Sequence, residues 1–233
     1  RLVTPFVEPD YNPIEARVKS GVPGLDAMIE AGWLRGTTTL VRGPSGAGKT
    51  LLSLQFAIEG VRTGEPALFV TFEENPVQLA RVMKRMGWDP AALVGSGRLD
   101  VLFTSPVELQ IDSIVGELFE RVEAHGVRRL VVDGLGDLAT TAGDPVRVRD
   151  YLFALTQQLA TKNITSMFTM QDAPISHGID APDIAYLGDN VLLLEMMLGD
   201  ELTRTLRILK SRGSGHDGRR HPLSIQRGGL SVQ

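Results

Sequence analysis

The sequence predicts an α/β fold: a twisted, mainly parallel sheet with helices on both faces and an antiparallel β extension at its C-terminal end. Two observations carry this. From about residue 38 to residue 170, short apolar runs alternate with segments of helical periodicity, the pattern of successive β-α-β units. After Gly188 the helical periodicity stops, and four strand-like segments follow one another with no helix between them.

Element by element, residues 1–16 hold three prolines and no clear period, so they read as an extended arm or interdomain linker. The folded domain is expected over 17–233. Residues 38–42 form a strand that runs into a glycine-rich turn. Residues 49–62 (KTLLSLQFAIEGVR) place Leu51, Leu52, Leu54, Phe56, Ala57 and Val61 at helical spacing. Residues 67–72 (ALFVTF) are almost continuously apolar, as a strand covered on both faces requires. Asn75 followed by Pro76 is a helix start, with Asn accepting from orphan amides and Pro at the first helical position. A strand at 99–103, a helix near 112–124, a strand at 129–133, a helix near 145–160 and a strand at 164–170 follow. The expected antiparallel segments are 190–197, 201–210, 221–226 and 230–232.

Composition bounds the function classes. At 233 residues the chain suits one large domain, and 42% hydrophobic with 22% charged residues is ordinary for a globular protein. The net charge of −4 provides no general pull toward nucleic acid or an anionic membrane. The absence of cysteine excludes a disulfide framework, a Cys zinc site and thiol catalysis, and fits the expected cytoplasmic location. The longest apolar stretch, 191–198, is interrupted by Glu195 and is too short to span a bilayer. No secretory segment opens the chain. Arg rather than Met stands first, so a fragment or processed chain is expected.

The deciding feature is residues 43–50, GPSGAGKT, a full match to G-x-x-x-x-G-K-S/T lying after a strand and opening a helix. Glycines let the backbone wrap closely around phosphates, while successive amides and the helix N-terminus point at the anion. Lys49 would bridge the β- and γ-phosphates of ATP, and the Thr50 hydroxyl would ligate Mg²⁺. Ser45, Gly46, Ala47, Gly48 and Leu51 complete the expected nucleotide-binding set. A chance glycine-rich turn is the bland alternative, and the full motif in its strand–helix context argues against it. The nucleophile-elbow pattern G-x-S-x-G fails because Ala47 occupies its last glycine, so Ser45 is a loop residue.

A phosphate loop needs acids. Residues 130–133 (LVVD) end a strand in Asp133, placed to hold the metal through water. Glu73 and Glu74 follow the strand at 67–72, where ligands of open α/β sheets bind. Two adjacent carboxylates there suit a metal or an attacking water better than a solvated first helical turn. Glu73 is the expected water or metal residue, with Glu74 in support.

The order of phosphate loop, paired glutamates, short acidic strand and late β-meander resembles the RecA-like ATPases, and within them the KaiC family. The resemblance runs from about Arg17 to Val232. It opens at residues 20–26 (SGVPGLD) and is sharpest at 209–217 (LKSRGSGHD), similar to the family's K-x-R-G-S/T-x-H stretch. It implies a RecA-like P-loop NTPase fold and a homo-oligomer, a hexameric ring in that family, with nucleotide at the subunit interface. Lys210 and Arg212 would then approach the γ-phosphate of a neighbour, while Ser214 and His216 line its nucleotide. Thr169 and Gln171 fall where the family senses the γ-phosphate, and Arg85 and Met86 near its base-contacting position. A signalling or clock-like role with matching protein partners is the corresponding expectation.

The residues add their own support. From Glu201 onward stand seven bases (Arg204, Arg207, Lys210, Arg212, Arg219, Arg220, Arg227) against two acids (Glu201, Asp217), a basic stretch in an acidic chain. A solvated β face with alternating charge, or a nucleic-acid surface, would also explain it. The sequence departs from the family in several places. It contains one phosphate loop where KaiC has two, and Ala185 and Tyr186 where KaiC's second domain phosphorylates Ser and Thr. It also has Gly134 after the acidic strand, where Ser is common, and Ala31-Gly32 where two glycines are frequent. ATPase chemistry is therefore expected ahead of Ser/Thr autokinase chemistry. A RadA- or RecA-like DNA-dependent ATPase is disfavoured, because the loop at 171–186 carries Asp172, Asp180 and Asp183 with no Lys or Arg, opposite to the sign phosphate tracking needs. A third reading is an ATP-gated assembly module that barely turns over. The four histidines have no i, i+4 pairing and no cysteine partners, so a transition-metal site is not expected.

Overall fold

The computed structural model describes residues 15–104, 111–136, 145–171 and 187–233. The arm expected at 1–16 lies almost wholly outside these, as do residues 137–144 and 172–186 of the two loops, positions 185 and 186 among them.

A nine-stranded sheet forms the centre, built from β3 (Thr38–Gly43), β4 (Ala67–Thr71), β5 (Leu99–Phe103), β6 (Arg129–Asp133), β7 (Thr165–Gln171), β8 (Asn190–Leu198), β9 (Leu202–Ser211), β10 (Arg220–Gln226) and β11 (Gly229–Val232). Its spatial order is β11-β10-β9-β8-β3-β7-β6-β4-β5. The six strands from β8 to β5 pair in parallel, and β9, β10 and β11 add antiparallel. The sequence places the whole segment from 190 in the antiparallel extension. In fact β8 is shared: one edge lies parallel to β3 and the other antiparallel to β9. A separate ribbon, β1 (Arg17–Val18) with β2 (Trp33–Leu34), closes the N-terminal end.

The helices are α1 (Lys49–Arg62), α2 (Pro76–Met86), α3 (Pro90–Gly95), α4 (Ile111–His125) and α5 (Pro145–Thr161). Crossovers from β3 to β4 and β5 run one way along the sheet, and those from β5 back to β6 and β7 run the other. Right-handed connections therefore put α1 and α2 on one face and α4 and α5 on the opposite one. The core divides accordingly. Phe69, Val131, Met167 and Val41 pack with Leu52, Phe56, Leu79 and Met83 of α1 and α2. Their strand neighbours Leu68, Val70, Val132 and Phe168 pack with Leu118, Val122, Leu155 and Leu159 of α4 and α5. The period of two thus survives inside runs that are apolar throughout, because both faces are covered.

Local chemistry sets the ends that matter for the site. Asn75 Oδ1 accepts from the amides of Val77 and Gln78, both at 3.0 Å, while Gln78 Oε1 accepts from Asn75 N at 2.9 Å. This reciprocal pair starts α2 directly after the two glutamates. The terminal hairpin β10–β11 braces α1. Gln55 of α1 donates to Gly21 O at 3.1 Å and Leu230 O at 3.2 Å, and accepts from Leu230 N at 2.5 Å. Gly228 N donates to Met86 O at 2.8 Å, joining the same hairpin to the end of α2. Among the described residues no helix is long and apolar enough to cross a membrane.

Candidate functional site

The phosphate loop leaves β3 at Gly43 and enters α1 at Lys49. Gly48 is the N-cap at φ +107°, a left-handed conformation, with no side-chain cap on the helix's leading amides. An added Cβ there would meet Ile225 Cδ1 and Leu230 Cδ2, each at 3.4 Å, so the terminal hairpin packs directly beneath the loop. At Gly43 the reason for glycine is close approach: a Cβ would lie 2.4 Å from Leu194 O of β8. Lys49 Nζ donates to Gly43 O and Pro44 O, both at 2.9 Å, and so crosses the mouth of its own loop.

In front of the loop lies a cleft of about 600 Å³. Ser45, Gly46, Gly48, Lys49, Thr50 and Leu51 form one wall; Val82 and Met86 of α2 form an apolar wall. Glu73, Glu74, Asp133, Gly134, Thr169 and Gln171 close the end beyond the strands. The expected phosphate, acidic and sensor positions therefore meet in one place. Ala47 is buried in the core cluster beside α1 and is not among the cleft-lining residues. Arg85 is exposed on α2 and is not among the cleft-lining residues; Met86 is, with Val82 one turn before it.

Three adjacent strands end in a row of polar side chains. Thr71 of β4 is in register with Asp133 of β6, and Thr169 of β7 lies one step beyond the paired Val132 and Phe168. All three are buried. Their strand neighbours Phe69, Val131 and Met167 pack in the α1 cluster, so the row faces the helix that begins with Lys49 and Thr50. Thr169 Oγ1 donates to Asp133 Oδ1. Thr71 Oγ1 accepts from Glu74 N at 3.2 Å and donates to Glu74 O at 3.3 Å. That bracket turns the chain at the strand end, leaving Glu73 exposed and Glu74 half-buried with one carboxylate oxygen, Oε2, buried and without a hydrogen-bond partner. Burial, then the charge of Asp133, then that of Glu73 push the Glu74 carboxyl above its ordinary value.

This donor set fits Mg²⁺. Hydroxyl and carboxylate oxygens are hard ligands, and a buried unpartnered carboxylate oxygen beside a second acid asks for a cation. No group of three or more His, Asp or Glu side chains among the described residues could hold a metal on its own. Mg²⁺ bound with nucleotide does not require one, since phosphates and water supply most of its shell.

Lys210 and Arg212 lie elsewhere. Lys210 pairs with Val191 at the amino end of β8, and Arg212 follows β9, so both sit toward the end of the sheet opposite the phosphate loop. Lys210 Nζ donates to Gly188 O at 2.6 Å, and Arg212 is 3.8 Å from Asp189. Burial, then the neighbouring Arg212 lower the Lys210 proton affinity, with Asp189 opposing. Ser214 accepts from Arg17, which also pairs with Glu30 at 2.9 Å, and Asp217 N donates to Met28 O at 2.9 Å. The stretch is thus pinned against residues 17–30, with Arg212 and His216 exposed. Much of the basic run is internally neutralised: Arg219 pairs with Asp217 at 2.6 Å and Arg220 with Glu195 at 2.7 Å. The structure also adds residues that spacing did not suggest, chiefly Thr71 and Val82, and gives Arg204 of the basic stretch a place at the loop. Arg204 Nε donates to Gly46 O at 3.2 Å from the β8–β9 hairpin.

Against known proteins, a family model described as the KaiC ATPase matches residues 18–233. The chain belongs to the KaiC ATPase family. It is 32% identical over 232 residues to a UPF0273 protein of Thermotoga maritima, covering 93% of this chain and 95% of that one. It is 33% identical over 229 residues to the circadian clock oscillator protein KaiC of Parathermosynechococcus lividus, where it spans 42% of the relative's length and 92% of its own. A solved KaiC-like protein from Pyrococcus horikoshii superposes with a TM-score of 0.83 at 30% identity, covering 94% of this chain and 100% of that one. Membership in the KaiC family accounts for the parallel sheet, the antiparallel C-terminal strands and the nucleotide cleft together.

Proposed function

We propose that this chain hydrolyses ATP with Mg²⁺ as a homo-oligomer whose nucleotide lies between subunits. The observation that carries the reading is the convergence of Lys49, Thr50, Asp133 and the Glu73–Glu74 pair on one cleft in front of a glycine-formed amide nest. The loop amides and the amino end of α1 bind the phosphate tail, and Lys49 exchanges its two loop carbonyls for β- and γ-phosphate oxygens. Mg²⁺, held by Thr50 and through water by Asp133, with Glu73 at the exposed margin, would neutralise charge on those oxygens. Val82 and Met86 offer the base an apolar wall.

Glu74 is the better placed acid for orienting water. Its free oxygen is buried and its raised proton affinity suits accepting a proton as water attacks the γ-phosphorus and the bond to ADP breaks. Lys210 and Arg212 are displaced from their own subunit's cleft, so contact with a γ-phosphate requires another copy. A signalling or timing output, as in the names of the KaiC relatives, is the corresponding proposal for the assembly.

The test is phosphate release and Mg·ATP binding by wild type and variants. Lys49→Ala is expected to abolish both. Glu74→Gln should lower kcat by about 10²–10⁴ and Glu73→Gln by less than about tenfold. The reverse order would give the water to Glu73. A well-folded wild type that binds no Mg·ATP, and on which Lys49→Ala has no effect, would sink the reading.

A further inference from the structure

The three-strand row Thr169–Asp133–Thr71 holds two hydroxyls whose partners are the site's two inner acids. Thr169 and Thr71 are 1% and 0% exposed, too deep for bulk water to replace either bond. Each hydroxyl acts differently. Thr169 donates to a carboxylate oxygen and so fixes the side chain of Asp133. Among the described residues the Thr71 hydroxyl bonds to the backbone of Glu74, at both its amide and its carbonyl, and so fixes where the chain turns. Without that turn, strand alternation would continue through 73 and 74 and nothing would select Glu74 for the cleft.

We propose that Thr169 and Thr71 are positioning residues with separable tasks: Thr169 sets the affinity for the divalent cation through Asp133, and Thr71 sets the rate of the chemical step through Glu74. The inference rests on the ATPase reading. The row also gives the Asp133 carboxylate a hydroxyl partner although Gly134 follows it: a Cβ at Gly134 would lie 3.3 Å from Thr169 Oγ1, so the threonine stands beside the place a serine there would occupy.

Removing a hydroxyl that orients a metal ligand typically weakens metal binding or activity by about 10–100-fold. Thr169→Val should raise the Mn²⁺ dissociation constant about tenfold, read by electron paramagnetic resonance on the ADP-loaded full chain with no turnover involved. Its effect on kcat at saturating Mg²⁺ should be smaller than its effect on that dissociation constant. Thr71→Val should do the opposite: Mn²⁺ and ADP affinities within about threefold, and kcat lowered about tenfold or more. Thr169→Ser and Thr71→Ser, which keep the hydroxyl, should each restore the affected quantity. Thr→Ala variants serve where a valine does not fold. General destabilisation would move both quantities in both variants, and that outcome overturns the proposal, as does wild-type behaviour of both valine variants while Lys49→Ala remains dead. A wild type without Mg-stimulated hydrolysis removes the ATPase reading, and this proposal with it.

Discussion

Arg129 is the sharpest test of how the strand that carries Asp133 is anchored at the end of the sheet away from the site. It opens β6, the strand that ends in Asp133, and its side chain is 3% exposed. Nε bonds to Glu65 at 2.7 Å, and Nη1 donates to Lys19 O at 2.8 Å and Phe56 O at 3.0 Å. The guanidinium lies 4.9 Å from the centre of the Phe56 ring, and Gly60 leaves the space it occupies: a Cβ there would be 2.5 Å from Arg129 Cδ. Arg129→Met keeps the aliphatic stem and removes the charge, one ion pair and two carbonyl partners. Breaking one side of a buried pair costs about 3–5 kcal/mol; Glu65 keeps Arg35 as a partner, so the loss falls chiefly on the carbonyls of Lys19 and Phe56 and lies near the lower end of that range. In a chain of this size each kcal/mol moves the melting midpoint by about 2–4 °C, so a fall of about 10 °C is expected. Urea unfolding followed by circular dichroism supplies the free energy. A loss below about 1 kcal/mol for Arg129→Met would refute the argument, and would mean water reaches the pocket.

The same cluster predicts a pH response. Burial raises the Glu65 carboxyl, but Arg35 and Arg129 outweigh it and hold it below its ordinary 4.5. A depressed folded value means stability is present above 4.5 and lost as pH falls through the folded value. Wild type should therefore lose more melting temperature between about pH 5 and about pH 3 than Glu65→Gln does; equal losses would count against the shift. Gly48→Ala forces a side chain onto a left-handed residue pressed against Ile225 and Leu230. It should raise the Mg·ATP dissociation constant by about tenfold or more, measured by calorimetry. Asn75→Ala removes both acceptor bonds of the α2 cap and should cost about 1 kcal/mol in thermal unfolding. For the trans assignment, Lys49→Ala and Arg212→Ala chains, each inactive alone, should regain up to about a quarter of wild-type turnover when co-assembled, because one interface then holds an intact loop and an intact arginine. Mixtures that stay inactive would place Arg212 outside the reaction.

The phosphate loop, the Asn75 cap and the buried strands were legible because each is decided by chemistry within a few residues: glycine where amides must converge, Asn before Pro at a helix start, apolar runs where two faces are covered. Features decided by pairing were not. The apolar pattern of β8 is the same whether a neighbour runs parallel or antiparallel, so its double role with β3 and β9 left no trace in periodicity. The partner of Thr169 depends on β7 lying beside β6, a fact of strand order. The contrast between Glu73 and Glu74 is made by a hydroxyl three residues upstream. Arg129, at the head of a strand that reads as wholly apolar, gave no sign that it would be enclosed. The six-residue α3 was too short to show a period.

The terminal hairpin has a consequence in time. Ile225 and Leu230 sit under Gly48, and Gln55 is tied to Leu230, so the floor of the nucleotide cleft is made by residues synthesised some 180 positions after the loop itself. A ribosome that has delivered residues 43–50 has delivered the loop amides, Lys49 and Thr50, but not the hairpin that packs beneath them. On the ATPase reading, nucleotide capture should therefore wait until β10 and β11 have emerged, and a chain halted before them would carry an intact motif with a weakened grip.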